Sequence, residues 1–372
     1  MTKIIHLTSS ISIGGGFKFI NLVREKLADF QHILVGRKGE LVDEAFKLFG
    51  KNNVYILPGF FLIDAVVLRK ILINLDPEIV HLHGRGAGLY GRLFIPRKYW
   101  NRTIYTIHGF NLELLPKIVK KMYLTWERLA SKKTALYHFV SQSEKDTFLN
   151  YVKPKEQKLR TIYNCIDTID NLETLRFPNY DNKNGVIRLL FIGRLSKQKG
   201  VDILIEALKI VLDEGYHMIL DIYGSGKEEK HLKKITKSLG LSDRINFIGQ
   251  KKFSEIKVGN YDALVVPSRF EGMPFVVLEG IASGLPIIAT PARGIVDILP
   301  NNSYGYISPS FSPEDLAKTL LNFYYDKTQN LKSIRKKVLN SYSRLKKLFS
   351  CEKTLKMLYE TYLEISRGEK FR

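Results

Sequence analysis

Short runs of β-branched and aromatic residues alternate with helical patterns along almost the whole chain, and no other feature constrains the fold as strongly. Strand candidates in the first half are Lys3–Thr8, His32–Val35, Val54–Leu57, Ile79–His83, Thr103–Ile107, Ala135–Val140 and Leu159–Tyr163. In the second half they are Ile187–Ile192, His217–Tyr223, Ile245–Ile248, Ala263–Val266 and Ile287–Ala289. Helical patterns fit between them, notably Phe17–Asp29, Val201–Glu214, Lys227–Leu239 and Pro313–Tyr325. Strands separated by helices form parallel sheets covered on both faces. The 372 residues suit two such cores. The segment 171–185 breaks the rhythm with its Asn residues, Pro178 and an Asn-Lys-Asn-Gly turn, and reads as a linker. The expected domains are therefore 1–170 and 186–350. A last helix within 351–372 carries one apolar stripe (Leu355, Leu358, Tyr359, Tyr362, Leu363) and is expected to pack back onto the first domain.

The chain is basic, with 58 Lys+Arg against 37 Asp+Glu and a formal net charge of +21. Zinc-finger spacing, an aromatic RNA-binding signature and a Lys/Arg-rich tail are all lacking, so a nucleic-acid partner is not expected. The excess thickens between Arg85 and Lys133, where the acidic residues are Glu113 and Glu127. Lys117, Lys120, Lys121 and Arg128 have helical spacing. They read either as a solvated helix face or as a patch for an anionic inner leaflet, where each cation contributes ~1 kcal/mol. Two cysteines, Cys165 and Cys351, cannot make a disulfide framework and suit a reducing compartment. The N-terminus lacks the pattern of a signal peptide, and no uncharged run approaches the ~18–20 residues that span a bilayer. The expected location is cytoplasmic, peripheral at the inner face of the membrane.

Two constellations carry chemistry. In the first, a strand ends at Gly193, a cationic loop follows, and a helix starts near Gly200. Ligands of open α/β sheets gather at the carboxyl ends of strands beside helix N-termini, so Arg194 and Lys199 would stand where a diphosphate sits. Taken alone, they read equally well as solvated loop cations. The second runs from Val266 to Thr290 and holds Glu271 and Glu279, with Gly272 and Pro274 between them. Pro274 suits the first turn of a helix, which leaves Glu271 on the preceding loop and Glu279 about one turn inside. The amides of Gly272, Met273 and Phe275 would then face a docking anion. Two carboxylates at such a place suit sugar hydroxyls at the two ends of a nucleotide-sugar.

These motifs resemble a retaining glycosyltransferase of the GT-B fold, of the family 4 type found in bacterial surface-polysaccharide synthesis. The resemblance covers nearly the whole chain and is most specific over 186–310. It implies an α/β architecture of two Rossmann-like β/α/β domains facing each other across a cleft. The first domain would bind acceptor and the second the nucleotide-sugar. The family's Glu-x7-Glu element corresponds to Glu271 and Glu279, and its Gly-Arg-Leu…Lys-Gly element to Gly193 through Gly200. Asn164-Cys-Ile-Asp167 is similar to a segment before the linker, Tyr223-Gly224-Ser-Gly226 to a Gly-x-Gly turn, and Phe247-Ile-Gly249-Gln250 to a nucleobase loop. The resemblance implies that Glu279 binds ribose hydroxyls, Glu271 contacts the donor sugar, and Arg194 and Lys199 neutralise the diphosphate. Departures are Cys165 in place of Gly, Ser283 in place of Ala or Cys, and Ala292-Arg293-Gly294 in place of a Gly-Gly pair.

In the first domain, Gly14-Gly15-Gly16 follows the first strand and lets backbone approach a ligand closely, although no G-x-G-x-x-G fingerprint is present. Lys18 either reaches a phosphate from the following helix or is solvated. His108 stands at the carboxyl end of a strand, and the family places such a histidine against the donor sugar. His81 and His83 lie along another strand, are read as facing opposite sides of the sheet, and one of them would line the acceptor cleft with Arg85. With no Asp-x-Asp and no ligand cluster at metal spacing, neither metal nor cofactor is expected.

The expected function is transfer of a sugar, with retention, from a nucleoside diphosphate (UDP the first choice) to a hydroxyl of a lipid-linked or oligosaccharide acceptor in lipopolysaccharide or capsule synthesis. Two other readings stay open, because fold does not fix function: a nucleotide-sugar epimerase on the same scaffold, and a basic scaffold binding membrane or nucleic acid.

Overall fold

The computed structural model describes residues 1–110, 112, 115–155, 158–167 and 186–368. The expected linker 171–185 lies outside the described residues. The chain divides into two compact units, Met1–Asn164 with the chain from Glu352 onward, and Cys165–Cys351.

The first unit runs β1 (Lys3–Thr8), α1 (Gly15–Lys26), β2 (Gln31–Arg37), α2 (Val42–Phe49), β3 (Val54–Leu57), α3 (Phe61–Leu75), β4 (Ile79–His83), α4 (Gly84–Phe94), β5 (Thr103–Ile107), α5 (Lys117–Ala130), β6 (Leu136–Phe139), α6 (Gln142–Leu149) and β7 (Leu159–Thr161). Its strands make one parallel sheet in the order β3-β2-β1-β4-β5-β6-β7. Every residue of β4, β5 and β6 is buried, as strands covered on both faces must be. Strand order reverses between β1 and β4, so the carboxyl ends of those two strands frame the crevice where α/β sheets hold ligands.

The second unit runs β8 (Ile187–Ile192), α7 (Val201–Asp213), β9 (Met218–Tyr223), α8 (Glu229–Ser238), β10 (Ile245–Gly249), β11 (Ala263–Val266), α9 (Phe275–Ala282), β12 (Ile287–Ala289), α10 (Ile295–Ile298), β13 (Tyr306–Ile307), α11 (Pro313–Gln329) and α12 (Leu331–Leu348), before α13 (Cys351–Ser366). Its parallel sheet has the order β10-β9-β8-β11-β12-β13, with the reversal between β8 and β11. The long helix α11 starts as its sequence directs. Ser312 at the N-cap accepts the Asp315 amide, and Pro313 fills the first helical position. Buried Asp221 on β9 is satisfied by Arg188, Asn246 and Tyr261, which ties β8, β9, β10 and the approach to β11 together.

Sequence and structure differ where periodicity is weak. Helix α3 has no counterpart among the expected helices, because it is apolar on both sides. Leu68, Ile71 and Leu72 face the core, while Leu62, Ile63 and Val66 are exposed. Its one early charge, Asp64, is buried but paired with Arg37 Nε at 2.7 Å and the Gly59 amide at 2.7 Å. The two-residue strand β13 is too short to leave a pattern. From Glu352 onward helix α13 is part of the first unit, and its Tyr362 hydroxyl reaches His81 Nδ1 on β4 at 2.8 Å. The two cysteines lie side by side within the second unit, their sulfurs 2.7 Å apart, both buried and not joined in a disulfide.

Candidate functional site

In the second unit, the loops leaving β8 and β11, the strands that flank the topological reversal, come together. Lys199 stands at the end of a one-turn 3-10 helix after β8, and Glu271 on the loop between β11 and α9. Lys199 Nζ donates to Glu271 Oε1 at 2.5 Å, and Ser268 Oγ donates to the same oxygen at 2.6 Å. Glu271 is 5% exposed, and the Lys199 side chain 20% exposed, so the pair sits at the rim of the unit rather than free in solvent.

The two loops are held to each other by contacts that sequence reading missed. The Arg269 amide donates to the Gln198 carbonyl at 2.8 Å, and Gln198 Nε2 returns a bond to the Phe270 carbonyl at 3.1 Å. The Arg269 guanidinium caps the Lys197 carbonyl and forks onto Asp202 at 2.8 and 2.7 Å. Asp202 lies in the first turn of α7, where a carboxylate also complements the helix dipole. Thr290, leaving β12, pins the Ser268 carbonyl from behind. These partners stand 22 to 72 residues apart in the chain, a distance at which spacing carries no signal.

Two glycines let the loops close. Gly200 has φ +64°, and a β-carbon there would fall 2.0 Å from the Pro267 carbonyl oxygen. Gly294, with φ +71°, backs onto the loop after Glu271, where a β-carbon would lie 2.0 Å from the Gly272 oxygen. The segment Ala292-Arg293-Gly294, which departs from the family's Gly-Gly, thus keeps a glycine where the close approach demands one.

The remaining donor-side residues fall as follows. Gly193 lies beneath the Lys199 side chain, whose Cδ would be 3.8 Å from a β-carbon there. Gly193 and Gly224 follow the ends of β8 and β9, and Gly249 closes β10; the Gly224 amide donates to the Gly249 carbonyl at 2.9 Å. Arg194 is exposed on the loop after β8. Gly272, Met273, Pro274 and Phe275 are buried at the start of α9. Pro274 is the N-cap of α9 rather than a residue of its first turn, because the helix begins one position later, at Phe275. Glu279 then lies half-buried about one turn inside.

In the first unit, Gly15 and Gly16 open α1 after β1, and Lys18 is exposed one turn in. Gly16 faces His108, with the imidazole Cδ2 3.8 Å from where a β-carbon would stand. His108 follows β5, and the next residues are anchored by the Phe110 amide donating to Glu144 on α6 at 2.5 Å. Arg85 is exposed in the first turn of α4.

Two readings of the histidines need correction. His81 and His83 share one face of the sheet, their ring centroids 4.0 Å apart. Strand side chains alternate with period two, so residues two apart must point the same way. His83 is 3% exposed, with one ring nitrogen on His6 and the other on His108, which leaves it no open edge for an acceptor.

The charge expected on α5 is also in place. Lys117, Lys121 and Arg128 are exposed, and Lys120 is half-buried. The same helix exposes Ile118, Met122 and Leu129, at 76, 67 and 61%. Among the described residues, no helix is long and apolar enough to cross a membrane.

Comparison with known proteins bears on the family and the fold. Residues 174–340 match the glycosyl transferases group 1 family, and residues 32–169 match glycosyltransferase family 4. A glycosyltransferase of Haemophilus influenzae is 31% identical over 331 residues, which are 86% of this chain and 90% of that one. The UDP-Gal:alpha-D-GlcNAc-diphosphoundecaprenol alpha-1,3-galactosyltransferase of Escherichia coli is 25% identical over 76% of each chain. Among solved structures, Anabaena HepE in complex with UDP and glucose superposes with a TM-score of 0.80, at 17% identity, over 97% of this chain and 99% of that one.

Proposed function

Since the chain belongs to the group 1 glycosyltransferases, with the α/β GT-B fold and relatives in bacterial surface-polysaccharide synthesis, we propose that it moves a sugar from a UDP-sugar to a hydroxyl of a lipid-linked acceptor, with retention at the anomeric carbon. The Lys199–Glu271 pair, at the strand-order reversal of the second sheet, is the observation that carries this reading. UDP as the carrier is supported by UDP-Gal, the donor of the Escherichia coli relative, and a lipid-linked acceptor by its diphosphoundecaprenol substrate.

In the proposed reaction the bond from the anomeric carbon to the β-phosphate oxygen breaks, and the acceptor oxygen bonds to the same face of that carbon. The acceptor proton passes to the departing phosphate oxygen. Lys199 and Arg194 supply positive charge as the diphosphate leaves, and the backbone at the start of α9 adds the positive end of a helix. The sugar becomes oxocarbenium-like, as in glycoside hydrolysis. Glu271 orients Lys199 and receives a donor hydroxyl, and Glu279 receives the ribose hydroxyls. These two cations make the step independent of a metal, so turnover is expected to survive a chelator. In this reading His108, which faces Gly16, is the ligand-facing group of the first unit.

A thermal-shift panel of UDP- and GDP-sugars tests the reading. A ligand present at a hundred times its Kd adds about 2.7 kcal/mol to the folded state. At least one UDP-sugar is expected to raise the Tm, and a panel without any shift would remove the proposal.

The acceptor's lipid is met, in this proposal, at an anionic membrane surface by α5. The exposed cations Lys117, Lys121 and Arg128 interleave with exposed Ile118, Met122 and Leu129, the composition of a helix that lies in an interface. Vesicles with anionic lipid are expected to sediment the protein at low salt and release it at high salt, with Lys117→Glu/Lys121→Glu weakening the association. Equal partition to neutral and anionic vesicles would contradict it.

A further inference from the structure

Six of the eight histidines belong to the first unit, and their rings join into two hydrogen-bonded files. In the first file, His32 Nε2 meets the Leu27 carbonyl at 2.9 Å, and His32 Nδ1 meets His6 Nε2 at 2.9 Å. His6 Nδ1 then meets His83 Nε2 at 3.0 Å, and His83 Nδ1 meets His108 Nε2 at 3.3 Å. In the second file, His138 Nε2 meets the Ile162 carbonyl at 2.8 Å, Thr106 Oγ1 links His138 Nδ1 to His81 Nε2, and His81 Nδ1 meets the Tyr362 hydroxyl. Burial is the leading reason that all six rings have pKa values below the ordinary histidine range, reinforced for His6, His81, His83 and His108 by neighbouring imidazoles. Each ring is therefore neutral near pH 7, with one nitrogen protonated and the other a lone pair.

A carbonyl oxygen only accepts, so Leu27 decides the direction of the whole first file. His32 must carry its proton on Nε2, which makes its Nδ1 an acceptor and forces His6 to donate from Nε2. The same step repeats through His83 to His108. Every ring nitrogen of both files then has a partner, except Nδ1 of His108, which has none among the described residues.

We propose that the file Leu27–His32–His6–His83 is a positioning device that locks His108 in its Nε2–H tautomer, so that His108 presents an unprotonated Nδ1 to receive a hydroxyl hydrogen from a ligand. The file transmits hydrogen-bond polarity and not protons, because a carbonyl closes its far end. His6, His32 and His83 act only through His108 and touch no substrate. The ligand role of His108 rests on the proposed function; the locked tautomer does not. Ring nitrogens of His6, His81 and His83 also lie within 4.8 Å of one another, near enough for a metal ion. An ion there would take the His6 lone pair that His83 now fills and pull His81 from Thr106 or Tyr362, so the two occupancies exclude each other.

The test is a long-range proton–nitrogen correlation spectrum of the full chain with labelled histidine, recorded at neutral pH without substrate, before and after dialysis against a chelator. The expected spectrum shows His6, His32, His83 and His108 as Nε2–H tautomers and is unchanged by the chelator. His108 found as Nδ1–H or doubly protonated, or shifts on chelation, would overturn the proposal. In His6→Phe, His108 is expected to lose its single tautomer and show both. His32→Phe cuts the file nearer the surface, with the same expectation should the first variant not fold. An unchanged His108 signal in a folded variant would also overturn it. Since no substrate is present, a chain inactive on every nucleotide-sugar can still show the locked file, and an active one can lack it.

Discussion

Glu271→Ala is expected to lower the release of nucleoside diphosphate from the donor by roughly a hundredfold or more, the size of effect seen when a preorganised electrostatic group is removed. The reason lies in what Glu271 holds. Its Oε1 receives both Lys199 Nζ at 2.5 Å and Ser268 Oγ at 2.6 Å, so its loss frees the ammonium that would meet the diphosphate and removes the oxygen that would take a sugar hydroxyl. Binding and turnover should both suffer, with the larger share in turnover, because charge on the diphosphate grows as it leaves. The fold should survive, since the β8 and β11 loops remain stapled by Arg269, Gln198 and Asp202. A near-wild-type rate in a folded Glu271→Ala protein would remove Glu271 from the chemistry.

Glu127→Ala is expected to cost about 3–5 kcal/mol of stability in the first unit, as removal of one partner from a buried ion pair does. Arg92 on α4 and Glu127 on α5 are fully buried and joined by two bonds, at 2.5 and 2.7 Å. The guanidinium also donates to the Gly88 carbonyl at 2.6 Å and lies 4.2 Å from the centre of the Tyr105 ring. The Tyr137 hydroxyl donates to Glu127 at 3.1 Å. Deleting the carboxylate strands a buried cation, whereas the double replacement Arg92→Met/Glu127→Leu removes both charges and should recover most of the loss. Urea unfolding, followed by a probe in the first unit, reads the difference. A Glu127→Ala protein within about 1 kcal/mol of wild type would be out of line with burial of the pair.

How much of this was legible in the sequence follows from how local each feature is. Strands β1, β3, β4, β5, β8, β11 and β12 could be read to the residue, because a strand covered on both faces is a short apolar run bounded by turn residues. Helix α3 could not, since its exposed Phe61, Leu62, Ile63 and Val66 erase the polar face that marks a helix. The Glu271 and Lys199 motifs were visible because each is a compact string, and the resemblance implied that both face one donor, although their direct ion pair across 72 residues was not legible. Arg92–Glu127, Arg269–Asp202 and the side-chain bonds of the histidine files join groups 25 to 281 positions apart, so each sequence position alone reads as an ordinary charge or a lone ring. The reversed faces of His81 and His83 were an error of strand geometry and not of missing information.

The account turns most directly on whether Lys199 holds the diphosphate of the donor. Comparing the UDP-sugar thermal shift of the wild-type chain with that of Lys199→Ala measures this. The wild type should rise in Tm with donor concentration, and the variant, folded as before without ligand, should lose most of that rise. A variant that shifts as the wild type does would contradict the assignment of the pocket.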